Sequence, residues 1–343
     1  MNQTNKKRVL LAYSGGIDST AAVGILKEQG FEVSTLTLDL LPGADLAHKA
    51  EAKALKLDCA HHTKQIHDLF RDEIIDNFTN EYLTGRTPAP CTRCNPLIKW
   101  RILEDEADRL GVEHIATGHY FRISEYNNLK YVSRPADRRK DQTYYLWGLS
   151  QRTLSRAITP MADEIKSIIK ADNPSQRESM GICFLSGKSY AEFITEHCGT
   201  LKPGKIVDTL GVELGNHNGI ARYTIGQKRG EGIPSGFSVV EIDAEHNSVV
   251  VSDNKDDLYA MNLVIDSCNI VDINEWLASK DIEVLVRGLG RNPEGHASIE
   301  RGKNRGEFIV RLSSPAWACA PGQPVVLYRG DRVIGGGYLR SAY

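Results

Sequence analysis

The spacing of apolar residues in the N-terminal part of the chain switches repeatedly between a strand period and a helix period. Short apolar runs predict strands at Val9–Tyr13, Phe31–Leu38 and Cys59–Thr63. Residues 45–56 are rich in Ala and Lys, and apolar residues recur at helical spacing from Gln65 to Tyr82, so both segments predict helices. Alternating strands and helices are typical of a parallel sheet wrapped by helices, and we expect an α/β fold here.

The next segment, Leu83–Cys94, breaks this pattern because it contains a glycine and two prolines. Asn95-Pro96 then predicts the start of a helix, since Asn is a favoured N-cap and Pro fits the first helical position. This helix should run to about Leu110, where Gly111 stops it, and a strand should follow at His114–Ala116.

Beyond about Thr200 glycines become frequent and the apolar segments become short and alternating, which predicts a mainly β region. A second β unit should begin near Met261–Asp266, and strands at this spacing suggest a small barrel. We therefore expect an α/β domain at 1–199, a central mainly-β domain at 200–262 and a C-terminal β-barrel at 263–343.

Composition narrows the class of protein. The net charge of −2 excludes a uniformly basic coat, although basic clusters occur at 138–140, 228–229 and 301–305. Each cluster alone is more typical of a solvated surface than of a binding site. No apolar run suits a signal peptide or a membrane span, so a cytoplasmic protein is expected. The odd number of cysteines, 7, argues against a disulfide framework.

The segment Ser14-Gly-Gly-Ile-Asp-Ser19 lies between the first apolar run and an amphipathic stretch that ends at Gly30. Adjacent glycines allow a tight turn that presents N–H groups to an anion, and the positive end of the following helix adds to the attraction. The segment lacks the lysine and the spacing of a Walker A motif. It resembles the pyrophosphate loop of the PP-loop ATPases, which cut ATP between the α and β phosphates and adenylate a carbonyl oxygen. The alternative, an ordinary glycine-rich turn, fits less well because loop, strand and helix agree with one another.

Three cysteines are candidates for chemistry. Cys91 and Cys94 form a C-x-x-C pair just before the predicted helix, whose dipole would lower the pKa of a thiol there. Such a pair alone is compatible with zinc, an iron–sulfur cluster, redox chemistry or no role. Cys183, within Gly181-Ile-Cys-Phe184, taken alone reads as a buried apolar cysteine.

Several motifs in order point to one family. Gly85-Arg-Thr-Pro-Ala-Pro-Cys-Thr-Arg-Cys-Asn95, Ala116-Thr-Gly-His-Tyr120, Lys140-Asp-Gln142 and Gly181-Ile-Cys-Phe184 are followed by Tyr223-Thr-Ile-Gly-Gln-Lys-Arg-Gly230, Pro321-Gly-Gln323 and Gly335-Gly-Gly337. Together they resemble the bacterial tRNA-specific 2-thiouridylases over nearly the whole chain. That resemblance implies ATP-dependent 2-thiolation of the wobble uridine in the tRNA anticodon, with AMP and pyrophosphate released.

The resemblance also implies roles for individual residues. Cys94 would be the nucleophile, and Cys183 would carry a persulfide received from a sulfur-donor protein, the two thiols ending as a disulfide. The residues implied to bind ATP, with Mg²⁺ as its usual companion, are Ala12, Tyr13, Ser14, Gly15, Gly16, Ile17, Asp18, Ser19, Leu38 and Gly118. Those implied to contact tRNA are Ala89, Pro90 and Cys91 at the target base, together with His119, Lys140, Asp141, Gln142, Arg287 and Gln323. The best-known members have an aspartate where this chain has Cys91, and an Arg-Tyr pair where it has Arg287-Gly288.

Other interpretations stay open on the sequence. Cys91, Cys94 and Cys183 could together hold an iron–sulfur cluster whose open iron carries the sulfur; no other metal site is expected. A PP-loop ligase or amidotransferase could adenylate a small metabolite, and a paralogue could bind tRNA without catalysis. A cluster protein would be brown, a metabolite enzyme would survive replacement of the cysteines, and a binding paralogue would not turn over ATP.

Overall fold

The computed structural model describes residues 7–43, 45–171, 181–288 and 290–343. The strands are β1 Arg8–Ala12, β2 Glu32–Asp39, β3 Ala60–Gln65, β4 His114–Thr117, β5 Arg122–Tyr126, β6 Leu129–Ser133, β7 Ala157–Ile158, β8 Gly204–Val207, β9 Glu213–His217, β10 Ser238–Asp243, β11 Ser248–Ser252, β12 Tyr259–Ile270, β13 Glu283–Leu285, β14 Ala297–Arg301, β15 Phe308–Trp317, β16 Pro324–Arg329 and β17 Arg332–Ala342. The α-helices are α1 Ile17–Glu28, α2 Leu46–Lys56, α3 His67–Phe70, α4 Asp76–Leu83, α5 Pro90–Cys94, α6 Trp100–Arg109, α7 Gln151–Arg156, α8 Lys166–Ala171, α9 Tyr190–Cys198 and α10 Ile273–Ala278.

These elements belong to two compact units, each formed by segments that are distant in sequence. The first unit contains the described residues of 1–74, 91–180 and 331–333. The second contains those of 75–90, 181–330 and 334–343. No α-helix within the described ranges is both long and apolar enough to cross a membrane.

The first unit is built on the expected parallel sheet. Its five strands lie in the order β3-β2-β1-β4-β7, and the paired neighbours run parallel. Side chains of β1, β2 and α1 meet in a core that includes Val9, Leu11, Val33, Val23 and Leu26. Burial of this apolar surface fixes α1 against β1, so the turn between them has a defined position at the carboxyl edge of the sheet.

The helix predicted to begin at Asn95 begins earlier. The prediction of irregular structure over Leu83–Cys94 is therefore wrong for its last residues, Pro90–Cys94, which are helical. Helix α5 starts at Pro90, and a π-helical turn, Asn95–Lys99, joins it to α6. Proline at 90 suits a first helical position. Pro96 lacks an N–H and would clash with the carbonyl four residues back in an α-helix, and the π turn accommodates it without ending the helix. Asn95 is therefore an interior residue and not an N-cap.

The predicted helix from Gln65 to Tyr82 is also interrupted. The structure has α3 and α4 with a π-helical turn, Arg71–Ile75, between them. The predicted end near Leu110 is confirmed, since α6 ends at Arg109 and Gly111 follows with a φ of +63°.

The second unit is mainly β, as expected. A four-stranded sheet has the order β10-β11-β8-β9, and its core contains Ile206, Tyr223, Val239, Val249 and Val251. The C-terminal strands follow the order β13-β16-β17-β12-β15-β14. A bridge between Ile282, just before β13, and Ala297 of β14 closes this path into a barrel.

Candidate active site

The Ser14–Ser19 loop joins β1 to α1 at the carboxyl edge of the parallel sheet. Gly15 has a φ of +69°, and Gly16 stands at the N-cap of α1 in an extended conformation. In the part of the chain that the structure describes, no side chain caps the first turn of α1 at Gly16. The loop therefore presents a helix N-terminus at which backbone N–H groups can bind an anion.

Hydroxyl groups hold the loop closed on itself. The Ser19 hydroxyl donates to the Gly16 carbonyl at 3.1 Å, and Ser14 N–H donates to the Ser19 oxygen at 3.3 Å. Gly16 N–H in turn donates to the Ser14 hydroxyl at 3.3 Å. From α2, the Lys53 ammonium donates to the Gly15 carbonyl at 2.6 Å. These bonds tie the loop to itself and to α2.

Asp18 is held by two residues from elsewhere in the first unit. Its Oδ1 accepts from the Lys166 ammonium and from the Tyr120 hydroxyl, the latter at 3.0 Å. The Lys166 side chain is almost fully buried, and its backbone N–H donates to Asp137 Oδ2 at 3.1 Å. Burial, followed by the Asp18 carboxylate, raises the pKa of Tyr120, so its hydroxyl stays protonated and donates. Asp18 of the loop is thus paired with a buried cation, the Lys166 ammonium of α8.

The other implied ATP residues lie around the loop. Ala12 ends β1 and pairs with Leu36 of β2 and Thr117 of β4, so Leu38 and Gly118 lie at the same carboxyl edge. A Cβ on Gly118 would lie 2.9 Å from the Ser19 nitrogen and 3.0 Å from the Asp18 carbonyl carbon. The strand end therefore approaches the first turn of α1 as closely as a glycine allows. Tyr13 and Ile17 are buried beneath the loop.

His119 follows this close approach and is a neutral imidazole. Its Nδ1 lies 2.8 Å from the Thr117 hydroxyl, and its Nε2 lies 3.4 Å from the Lys99 ammonium. Removal from water holds the pKa of His119 well below its usual value, and Lys99 lowers it further. With Lys99 donating to Nε2, the ring proton resides on Nδ1. His119 and the cysteine helix are thus linked through Lys99, which lies in the π turn.

Two of the residues predicted to contact tRNA, Asp141 and Gln142, form hydrogen bonds that support their own loop. Asp141 Oδ1 accepts from the Thr143 N–H at 2.9 Å and from its hydroxyl at 2.6 Å. Gln142 Oε1 accepts from the Tyr120 N–H at 2.9 Å. Lys140 is half-exposed at the end of a 3₁₀ turn. Asp141 and Gln142 therefore fix the loop that presents Lys140.

Cys91 and Cys94 lie in α5, and both side chains are partly exposed. The buried Asn95 amide donates to the Cys91 carbonyl at 3.0 Å and to the Tyr145 carbonyl at 3.1 Å. Arg93 anchors the other side of the helix by donating to the Glu73 carbonyl at 2.8 Å and to its carboxylate at 2.7 Å. The two thiols are carried by a helix whose position is fixed on both sides.

Cys183 is exposed, contrary to its reading as a buried apolar cysteine. It begins a 3₁₀ turn, Cys183–Leu185, which follows Gly181 at a φ of +90°. Phe184 anchors the turn by packing at 5.1 Å from Phe78 and 5.2 Å from Phe193. The buried neighbour and the turn together direct Cys183 to the surface of the second unit.

Ala89, Pro90 and Gln323 lie on connected segments of the second unit. The Thr87 N–H, two residues before Ala89, donates to the Pro321 carbonyl at 2.7 Å. Gln323 closes the following barrel turn, because its Oε1 accepts from the Ala320 N–H at 3.0 Å. Pro90 itself is buried and Ala89 is half-buried.

Arg287, the remaining implied tRNA contact, packs on the barrel. Its guanidinium lies 5.2 Å from the centre of the Trp317 ring and donates to the Ala318 carbonyl at 2.6 Å. The side chain therefore supports Trp317 and its neighbour in the chain.

Comparison with known proteins identifies the family. Residues 7–187 match the model described as the tRNA methyl transferase HUP domain, 191–253 the tRNA methyl transferase PRC-barrel domain, and 262–339 the aminomethyltransferase beta-barrel domain. A Bacteroides fragilis protein named tRNA-specific 2-thiouridylase MnmA 3 is 39% identical over 352 residues, covering 98% of this chain and 95% of its own. The tRNA-specific 2-thiouridylase MnmA of Pelotomaculum thermopropionicum is 35% identical over 363 residues, covering 98% of each. This chain belongs to the tRNA-specific 2-thiouridylase family.

Membership of the 2-thiouridylase family confirms the expected fold class, an α/β domain followed by two mainly-β domains of which the last is a barrel. The structure adds residues that sequence reasoning missed. Lys166 contacts Asp18, which is 148 positions away in the sequence. Lys53 contacts the loop at Gly15, and Lys99 contacts His119. The sequence offered no signal for Lys166 or Lys53, since an isolated lysine is usually a solvated surface residue.

Proposed function

We propose that this chain is an ATP-dependent enzyme that converts the wobble uridine of tRNA anticodons to 2-thiouridine. The observation that carries the proposal is the Ser14–Ser19 loop at the N-terminus of α1, whose Asp18 pairs with the buried Lys166, in a chain that matches 2-thiouridylases over 98% of its length. An anion site at the edge of a parallel sheet supports nucleotide binding. The relatives' names supply the substrate class.

In the first step, the C2 oxygen of uridine attacks the α-phosphorus of ATP, and pyrophosphate leaves. The N–H groups of the loop and the cation of Lys166 would stabilise the pyrophosphate, on which negative charge accumulates. The chemistry of the donors fits ATP, because the loop offers N–H and hydroxyl groups to phosphate oxygens. Mg²⁺ would enter with ATP. Within the described ranges no cluster of three or more His, Cys, Asp or Glu side chains could hold a metal ion.

In the second step, sulfur replaces the adenylated oxygen. The terminal sulfur of a persulfide on Cys183 attacks C2, and AMP leaves with the former uridine oxygen. Cys94 then attacks the Cys183 sulfur, which releases 2-thiouridine and leaves a disulfide between the two cysteines. An external thiol must reduce this disulfide before the next turnover, and a persulfide-carrying protein must reload Cys183. The exposure of Cys183 on a turn anchored by Phe184 supports loading by a second protein.

The test is incubation of the protein with unmodified tRNA, ATP, Mg²⁺ and a persulfide source, followed by digestion and mass spectrometry of the nucleosides. We expect ATP-dependent 2-thiouridine that is lost in Cys94→Ser and Cys183→Ser. Cys198→Ser is the matched control, because Cys198 is also exposed in the second unit and has no assigned role.

Each contrary result assigns a different function. Methylated nucleosides in place of thiolated ones would indicate a methyltransferase. ATP cleavage with a small-molecule acceptor, unaffected by cysteine replacement, would indicate a PP-loop ligase. A brown protein after anaerobic purification, with thiolation dependent on iron, would replace the persulfide by a cluster on Cys91, Cys94 and Cys183.

A further inference from the structure

A basic, aromatic cleft lies in the second unit. It encloses about 290 Å³ and is lined by Lys228, Lys255, Leu258, Tyr259, Arg291 and Trp317. Its three cations are exposed at the surface, and none of the described residues that line it is acidic. None of these cations forms an ion pair with a carboxylate of the described residues. The residues that line the cleft therefore carry three positive charges, in a chain with a net charge of −2.

The aromatic wall of the cleft is formed by paired residues on adjacent strands. Tyr259 of β12 stands directly opposite Trp317 of β15, so both rings lie on one face of the barrel. Arg291 lies 5.7 Å from the Tyr259 ring centre, and Arg287 lies 5.2 Å from that of Trp317. Rings flanked by guanidinium groups form a surface on which a nucleobase can stack.

The backbone around Trp317 is held in a sparsely populated conformation. Ala318 has a φ of +50°, unusual for a residue other than glycine. Its N–H donates to the Leu258 carbonyl at 2.7 Å, and its carbonyl accepts from Arg287 at 2.6 Å. Two bonds thus fix the turn, and with it the orientation of Trp317.

The cleft is connected to the segment implied to contact the target base. The Thr87 hydroxyl lies 2.7 Å from that of Thr224, which begins the loop that leads to Lys228. A Cβ on Gly226 would lie 2.7 Å from the Ala318 Cβ and 3.2 Å from the Trp317 ring, so a glycine is needed for this loop to pack there. The same loop therefore contacts the 87–90 segment at one end and brings Lys228 to the cleft at the other.

We propose that this cleft binds one unpaired nucleotide of the tRNA, with the base stacked against Tyr259 and Trp317 and the flanking phosphates held by Lys228, Lys255 and Arg291. This inference rests on the proposed function for the identity of the RNA. A volume of about 290 Å³ lies at the low end of small-molecule sites and suits one nucleotide rather than a helix. A splayed base is the feature by which proteins recognise single-stranded RNA.

The base contact is tested by tryptophan fluorescence of the full chain. Trp317 is partly exposed, whereas Trp100, Trp147 and Trp276 are buried. We expect added tRNA to quench the fluorescence, and Trp317→Phe to remove most of that quenching. Tyr259→Ala should raise the Kd for labelled tRNA roughly tenfold, whereas Tyr259→Phe, which keeps the ring, should have the wild-type Kd.

The phosphate contacts are tested by salt dependence. Arg291→Gln and Lys228→Gln should each lower the slope of log Kobs against log salt by about 0.7 to 0.9. Arg305→Gln is the matched control, because Arg305 is an exposed barrel arginine outside the cleft, and it should leave the slope unchanged. The proposal would be overturned if the cleft variants bound tRNA with the same Kd and the same salt slope as Arg305→Gln. If polyglutamate displaces the tRNA and Tyr259→Ala leaves the Kd for tRNA unchanged, the proposal is overturned, and the cleft would instead bind an acidic protein.

Thiolation by the wild-type protein is measured on the same preparation. If it thiolates tRNA while the cleft variants bind normally, the cleft proposal fails and the proposed function stands. If it thiolates no uridine but the cleft variants still bind tRNA more weakly than the control, the RNA site stands and the proposed function fails.

Discussion

Replacing Gly118 by alanine tests whether the nucleotide loop depends on the close approach between β4 and α1. The new Cβ would lie 2.9 Å from the Ser19 nitrogen and 3.0 Å from the Asp18 carbonyl carbon. Both are backbone atoms, so no side-chain rotation relieves the contact. One element must move by roughly 0.6 Å to restore a contact of about 3.5 Å. Overpacking of this kind costs about 1–3 kcal/mol.

The displaced atoms belong to the turn that would bind the phosphates of ATP. The substitution should therefore lower both the affinity for ATP and the free energy of unfolding. Because about 1.4 kcal/mol is a tenfold change in affinity, we expect Gly118→Ala to weaken ATP binding tenfold or more. Isothermal titration with ATP and Mg²⁺ gives the Kd, and urea unfolding gives the stability.

Gly24→Ala is the matched control. Gly24 is exposed in the middle of α1, and a Cβ there would meet nothing within 4 Å. This change should stabilise the protein by about 0.5–1 kcal/mol and leave the ATP Kd unchanged. Wild-type ATP affinity in Gly118→Ala would refute the reasoning, because the loop would then tolerate the extra atom.

Three other predictions follow from buried polar contacts. Lys166→Met removes the cation that is proposed to stabilise the leaving pyrophosphate, and since a charged hydrogen bond contributes about 1.5–3 kcal/mol, AMP formation should fall roughly 10- to 100-fold, with partial rescue by Lys166→Arg; an unchanged rate would contradict this role. Asn95→Asp keeps the shape but directs a carboxylate at two carbonyl oxygens, so urea unfolding should show a loss of about 3–5 kcal/mol, and an unaltered midpoint would argue against it. Glu106 accepts from Lys64 at 2.8 Å, and this bond, together with Arg109, lowers the pKa of Glu106 from its usual value in the folded protein. The Glu106 carboxylate should stabilise the fold fully above its unfolded pKa, and this stabilisation should disappear as pH falls through its folded pKa. Glu106→Gln should therefore lower the free energy of unfolding by about 1–3 kcal/mol at neutral pH and by little at strongly acidic pH. A loss that does not depend on pH would show that charge is not the cause.

The sequence was a good guide where local pattern and tertiary packing agree. Apolar periodicity located β1, β2 and α1, because these elements bury one side in a common core. The paired glycines at 15 and 16 indicated a tight turn because one of them requires a positive φ. Strand-like spacing after Thr200 likewise predicted the mainly β second half.

The sequence misled where tertiary contacts decide. Asn95 has the local signature of an N-cap, yet its amide bridges two backbone carbonyls inside a longer helix, one of them 50 positions away. Cys183 sits in an apolar motif, but the burial of Phe184 turns the thiol outward. Lys166 carries no local signal, because its partner Asp18 is distant in sequence. Such contacts are set by the fold and have no periodicity.

The most direct test of the proposed reaction follows the C2 oxygen of uridine. tRNA labelled with ¹⁸O at C2 of the target uridine is incubated with the protein, ATP, Mg²⁺ and a persulfide source, and the AMP is analysed by mass spectrometry. Adenylation of that oxygen predicts one ¹⁸O in the phosphate of AMP for each 2-thiouridine formed. Unlabelled AMP, with or without thiolation, would show that ATP does not activate the uridine oxygen and would contradict the account.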